Sequence, residues 1–446
     1  MRIIDVLSAL STVAGLPSLL GSVQTLIGRV TSQRRRSLAI LLFCLVCLFA
    51  LQGCAGLAVS EPRSPADRQP PLNLPMTIRT LGANHRFSQL SSATAAERLH
   101  ALHAEGPVNI LALSGGGAAG AFGAGAVAGL TGSGARPDFA VVTGVSAGAL
   151  VAPYAFLGPA WDPRLLDAFT GRAGDNLLQS RGLGVVFGSS MYSGAPLKHL
   201  IDAYVSDTMI KAIAAEVDKG RLLLVATTDV ATGEPIVWDL GAIAKNGGSS
   251  ARALFRDVLV ASASVPGMFP PIIIHVEENG GSHDEAHVDG AATVPLFVPP
   301  AFMQPRPGVL DTYRTAVFVI VDGPLGDAAR TTRLTAHAIL LRSIHAGLNH
   351  LLSTTLKLTA ATAQLDGANL WYSAVPSAYP VLNSFDFRAE SRRPLFRYAY
   401  ECAQTGRLWT AFQRSDNDGD TFRSTVEPQT LPCPADDPFI GHFATR

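Results

Sequence analysis

Ser146 lies in the run Gly144-Val145-Ser146-Ala147-Gly148, between the apolar stretch Phe139–Thr143 and a helix-forming stretch from Ala147 to Phe156. A serine hydroxyl is a weak nucleophile until a neighbouring base takes its proton. A strand-turn-helix junction holds such a serine in a strained, exposed position. Flanking glycines let strand and helix pass without a Cβ clash. The helix N-terminus adds positive potential where an oxyanion would form. The same residues also fit a Gly-rich turn whose serine only caps the helix.

Two further groups bear on that choice. Ser114-Gly115-Gly116-Gly117-Ala118-Ala119-Gly120 ends the apolar run Val108–Leu113 and opens a helix. Consecutive glycines let backbone N–H groups point into one space, an anion cradle at a helix N-terminus. Gly115, Gly117 and Gly120 also have dinucleotide-loop spacing, but the second strand ends at Gly144 and Ser146, where that motif needs an acid. Beside a nucleophilic serine the cradle reads as an oxyanion hole. The last group is His287-Val288-Asp289-Gly290-Ala291, after a polar, Gly-rich stretch from Glu277 to Glu285. Asp-Gly marks a turn, and most such aspartates merely shape it.

The elements that must hold these residues follow from the apolar pattern. Val108–Leu113, Phe139–Thr143, Leu222–Ala226 and Val317–Val321 read as short buried strands. Ala118–Leu130, Ala147–Phe156 and Ala251–Ala261 read as helices between them. Such alternation argues for a parallel sheet covered on both faces. Residues 330–366 lack proline and carry Leu334, Ile339, Leu340, Ile344, Leu348, Leu351 and Leu352, which predicts a long helix.

Taken in order, the Gly-rich loop, Gly-x-Ser-x-Gly and Asp-Gly-Ala resemble the patatin-like phospholipase family. Thr228-Asp229-Val230-Ala231-Thr232-Gly233 and the stretch Ala261 to Pro271 are similar to two more of its segments. The resemblance implies an α/β, three-layer patatin-like fold, with a mostly parallel central sheet flanked by helices and a helical C-terminal extension. It implies a lipid acyl hydrolase with Ser146 as nucleophile, Asp289 as general base and no catalytic histidine. The backbone of Gly115, Gly116 and Gly117 would form the oxyanion hole, with Gly120, Gly144, Gly148 and Gly290 as the other motif glycines. No cofactor or metal is implied. One position departs: the family commonly has Arg or Lys before the last glycine of the loop, and here it is Ala119. That shifts the expected substrate from charged phospholipids toward simpler acyl esters.

The rest of the chain sets the context. Among 446 residues, 35 are Lys or Arg and 35 are Asp or Glu, so no charge excess points to nucleic acid. With 16% charged and 48% apolar residues the chain reads as globular. Arg34-Arg35-Arg36 precedes an uncharged apolar run, Leu38 to Leu51, too short to span a bilayer. Leu51-Gln52-Gly53-Cys54 resembles the bacterial lipobox, which implies lipidation of Cys54 and anchoring in the cell envelope, at the outer membrane's periplasmic face. Residues 1–33 fit a signal poorly, and a start at Val30 would fit better. The expected organisation is an N-terminal extension and lipoprotein signal at 1–53, then the lipidated cysteine and a Pro-rich tether at 54–105. A catalytic domain follows at 106–330 and a helical C-terminal part at 331–446.

Three rival readings stay open. A Ser-Asp-His triad is formally available, because His337, His345, His350 and His442 follow Asp289. A lipid-binding lipoprotein on a decayed hydrolase fold is the second, and acyl transfer in place of hydrolysis the third. Cys402 and Cys433 could pair outside the cytoplasm, although spacing alone cannot show it. Asp416-Asn417-Asp418-Gly419-Asp420 reads as a solvated acidic turn rather than a calcium loop, since its glycine is misplaced.

Overall fold

A computed structural model describes residues 78–81, 87–90, 97–98, 108–182, 188–278, 281–303, 315–325, 334–376, 379–380 and 383–411. The expectations for Cys54, Cys433, His442 and the acidic turn at 416–420 lie outside these residues, as do those for the N-terminal signal. Cys402 is buried.

The strands are β1 (Ile78–Leu81), β2 (Phe87–Leu90), β3 (Asn109–Leu113), β4 (Phe139–Val145), β5 (Leu222–Asp229), β6 (Pro235–Asp239), β7 (Ile272–Glu278), β8 (Gly281–Asp289), β9 (Ala316–Val321), β10 (Asn369–Ala374) and β11 (Thr410–Ala411). The helices are α1 (Gly120–Gly132), α2 (Ala147–Leu157), α3 (Asp162–Thr170), α4 (Ala195–Tyr204), α5 (Asp207–Val217), α6 (Leu240–Asn246), α7 (Gly248–Ser262), α8 (Ala336–Leu365) and α9 (Ala389–Gln404). Among the described residues the strands form one sheet, in the order β11-β10-β9-β3-β4-β5-β6-β1-β2. The five central strands, β10 to β5 in that order, are mutually parallel. Antiparallel pairs lie towards the edges and at the β7–β8 hairpin.

The layers follow from the two-residue alternation of strand side chains. Leu111, Leu113, Val142, Leu223 and Val225 pack under α1, α2, α7 and α9. Their neighbours Ile110, Ala112, Val141, Leu222 and Leu224 face the other way, onto Leu352, Leu356, Ala360 and Ala363 of α8. Those four sit at helical spacing, so one stripe of α8 closes the third layer. The fold is therefore the expected α/β class with a mostly parallel, doubly covered sheet.

Two segments depart from the sequence reading. The tether expected at 54–105 contains β1 and β2, and Ile78 and Arg79 extend the sheet beside Val237 and Trp238. Arg79 is buried there against Glu285. Nor is the C-terminal part wholly helical. β10 joins the parallel sheet beside β9, and α9 packs on α1 where glycine allows close approach: a Cβ on Gly125 would lie 2.1 Å from the Phe396 carbonyl oxygen.

Candidate active site

The sheet itself brings the two key side chains together. β4 and β8 share one edge of β5. β4 pairs in parallel as far as Val145 with Ala226, and β8 takes over in the antiparallel direction from Thr227 with Asp289. β6 occupies the opposite edge. The two strands therefore run toward each other and end side by side, with Ser146 following one and Asp289 closing the other.

Ser146 has φ 54° and ψ −123°, and among the described residues it is the only non-glycine with positive φ. Such a conformation costs about 1–3 kcal/mol and persists only where the surroundings impose it. Here they do. A Cβ on Gly144 would lie 2.7 Å from the Gly148 carbonyl oxygen, and one on Gly148 2.5 Å from that of Leu113. The Ser146 amide donates to Ser262 Oγ at 3.0 Å, and that hydroxyl donates to the Ala226 carbonyl at 2.7 Å. The serine is thus more than an N-cap, and its side chain makes no cap hydrogen bond.

The Ser146 hydroxyl donates instead to Asp289 Oδ2 at 2.6 Å. Asp289 Oδ1 accepts the Ala291 amide at 2.8 Å, and the Asp289 amide donates to the Ser264 carbonyl. Both side chains are buried. Burial pushes the Asp289 carboxyl up to about 7, against the opposing pull of the Ser146 hydroxyl and the Ala291 amide. A carboxylate in that range can accept a hydroxyl proton near neutral pH.

Among the described residues no imidazole bonds either member of the pair. His287, two residues before Asp289, is engaged elsewhere, with Nδ1 3.0 Å from Thr227 Oγ1 and Nε2 3.1 Å from Glu285 Oε2. His345 and His350 lie on α8, across the sheet from α2, the helix that Ser146 caps.

The glycine loop needs one correction. The Gly115 amide donates to the Pro295 carbonyl at 3.1 Å, so it is not open to an oxyanion. Gly115 contributes by its smallness, since a Cβ there would come 3.1 Å from Ser146 Cβ. The amides of Gly116 and Gly117 have no protein acceptor among the described residues, nor has that of Ala147 at the first turn of α2. Ala147, the residue after the serine, was missed because any residue type can supply a backbone N–H. Gly117, at φ +60°, lines the cavity together with Ser146 and Ala147. A Cβ on Gly120 would lie 2.7 Å from Ala147 Cβ, and one on Gly290 2.5 Å from the Ala226 carbonyl oxygen.

Residues 111–301 match the family model Patatin, described as patatin-like phospholipase. This stretch is a patatin-like phospholipase domain. It runs from within β3 past β8 and so contains the glycine loop, Ser146 and Asp289. Membership of this stretch in the family implies lipid acyl hydrolysis, the cleavage of ester bonds, as its kind of chemistry. Among solved structures, VipD from Legionella pneumophila is similar at 12% identity, over 78% of this chain and 73% of its own, with a TM-score of 0.30. No curated protein matches the chain.

An apolar cavity opens beside Ser146, lined by the patatin-like domain together with residues of α9 and the segment before it. Ala147, Leu150, Pro153 and Tyr154 line it at helical spacing, so it runs along α2. Phe169 of α3, Leu200 of α4 and Met209 of α5 form the facing wall. The sequence reading passed over α3 to α5 because their apolar stripes are short and interrupted by polar residues. Arg392 of α9 is the cavity's cationic member, and its guanidinium donates to the carbonyls of Phe387, Ala168, Phe169 and Gly171.

Proposed function

We propose that this protein is a serine lipid acyl hydrolase of phospholipase A or esterase type, working through a Ser146–Asp289 dyad. The observation that carries the proposal is the 2.6 Å hydrogen bond between two buried side chains, one on a strained turn and the other a carboxyl raised to about 7.

In this scheme Asp289 takes the proton as Ser146 Oγ bonds to the acyl carbon. The carbonyl electrons move onto oxygen, and the amides of Gly116, Gly117 and Ala147 receive the charge. Collapse restores the carbonyl and expels the alcohol, which takes the proton from Asp289. Water then gives a proton to Asp289 and attacks the acyl-enzyme. The fatty acid leaves, and the proton returns to Ser146. The cavity along α2 receives the acyl chain, because an apolar wall stabilises methylenes and offers little to a charged headgroup. Ala119 leaves the loop without a cation, which favours simple acyl esters over anionic phospholipids. The Leu51–Cys54 run further supports a lipid anchor at Cys54, testable by loss of lipid labelling in Cys54→Ala.

The test is a fluorophosphonate probe together with a panel of lipid and simple esters, applied to the wild type and to Ser146→Ala. Labelling and acyl release are expected in the wild type only. A Ser146→Ala protein that still cleaves esters at the wild-type rate would overturn the proposal.

A further inference from the structure

The dyad leaves a second buried acid without a task. Asp322 follows β9 and is 1% exposed. Its amide donates to Ser114 Oγ at 2.9 Å, and that hydroxyl donates to the Gly115 carbonyl at 2.9 Å. Asp322 Oδ1 accepts the Gly123 amide of α1 at 2.8 Å. Asp322 Oδ2 is buried with no hydrogen-bond partner among the described residues. Gly116 lies so close that a Cβ there would fall 1.9 Å from the Asp322 carbonyl oxygen. One residue therefore meets the glycine loop through Ser114 and Gly116 and the following helix through Gly123.

We propose that Asp322 is a positioning residue for the oxyanion loop, holding Gly116 and Gly117 where their amides can receive the charge that develops at Ser146. This rests on the reading of Ser146 as nucleophile and adds a control point to it. An ionised carboxylate with one oxygen unpaired in a dry interior is costly, so the acid form is the one the site accommodates. Burial raises the Asp322 carboxyl well above the usual carboxylate range, and only the Gly123 amide opposes it.

Among the described residues no other charge compensates. α1 and β9 carry no ionisable side chain. On the segment before α9, Asp386 and Arg388 pair with each other at 2.6 Å, while Arg392 and Arg393 of α9 donate to carbonyls at 168–171 and 387. Tyr398 packs against Phe122, and Asp289 is bonded to Ser146. Ionisation of Asp322 therefore adds a negative charge beneath the oxyanion loop, opposing the transition state, and the site weakens as pH rises.

The experiment measures kcat and KM for 4-nitrophenyl butyrate from about pH 5 to 10, in the wild type, Asp322→Asn and Asp322→Leu, with Ser146→Ala as the blank. Asparagine keeps the acceptor for Gly123 and cannot ionise. It should hold kcat at neutral pH within about threefold and lack the alkaline decline expected of the wild type. Leucine removes the acceptor, and kcat should fall roughly 10²–10³-fold with little change in KM. The proposal is overturned if the wild type shows no alkaline decline, if Asp322→Asn declines like the wild type, or if Asp322→Leu turns over normally. Should leucine prevent folding, the pH profile of the asparagine variant decides. Hydrolysis by Ser146→Ala at the wild-type rate would instead strike at the dyad.

Discussion

Asp289 gives its two carboxylate oxygens to different partners: Oδ2 accepts the Ser146 hydroxyl at 2.6 Å and Oδ1 accepts the Ala291 amide at 2.8 Å. The Ala291 bond fixes the carboxyl plane so that the other oxygen faces the serine. In a histidine triad the acid orients an imidazole; in the proposed dyad it takes the imidazole's place.

This arrangement sets the acid limb of the pH profile. In the proposed dyad the base must be ionised, and burial places the Asp289 carboxyl at about 7. Turnover of a short ester should rise with pH through about 7, and kcat/KM against pH checks it. Full activity near pH 4 would show that another base is at work.

The same shift has a stability consequence of opposite sign. The folded-state value lies above the unfolded one, so folding takes up a proton between about 4 and 7, and stability falls as pH rises through that window. Asp289→Asn cannot ionise and escapes the loss. It should be inactive yet melt above the wild type at pH 8, with the gap closing toward pH 4. Thermal melts at the two pH values read this directly.

Backbone strain at Ser146 predicts an inversion of the usual ranking. Alanine normally stabilises relative to glycine, but φ 54° favours a residue without Cβ. Ser146→Gly should be more stable than Ser146→Ala by about 1 kcal/mol, with both inactive. Equal or reversed denaturation midpoints would mean the turn relaxes when the hydroxyl is removed.

Leu150 lines the cavity one turn along α2 from Ala147. Leu150→Trp should obstruct the path of a long acyl chain. Turnover of a sixteen-carbon ester is expected to fall at least about tenfold while a four-carbon ester is little affected. A parallel loss on both esters would place the acyl chain elsewhere.

Arg392 is 6% exposed and satisfies carbonyls at the end of α3 and before α9. Replacing it with methionine leaves those oxygens unpaired, at a cost on the order of 3 kcal/mol in urea unfolding. Lysine should not restore the loss, since it lacks the planar fork of donors.

What the sequence made legible follows from the chemistry of each segment. β3, β4, β5 and β9 are apolar runs buried on both faces, and glycines punctuate their ends, so both strand and turn could be read. The β7–β8 hairpin could not. His275, Glu277, Asp284 and Glu285 make it look like a polar loop, yet it delivers Asp289 to the edge of β5. Gly115 shows a related limit. A run of glycines announces available amides, but which one faces the substrate depends on a distant acceptor, the Pro295 carbonyl. Ser262 stood within a segment already noted, but only the fold shows that it holds the Ser146 amide.

Ser146 and Asp289 are 143 residues apart and meet only because β4 and β8 abut along β5. In the proposed dyad, Ser146 therefore lacks its base in any chain whose β8 has not yet emerged or docked. On that reading, ester cleavage cannot precede the docking of β8 on β5. A partly made chain, even with its elbow formed, would then leave lipid esters uncut.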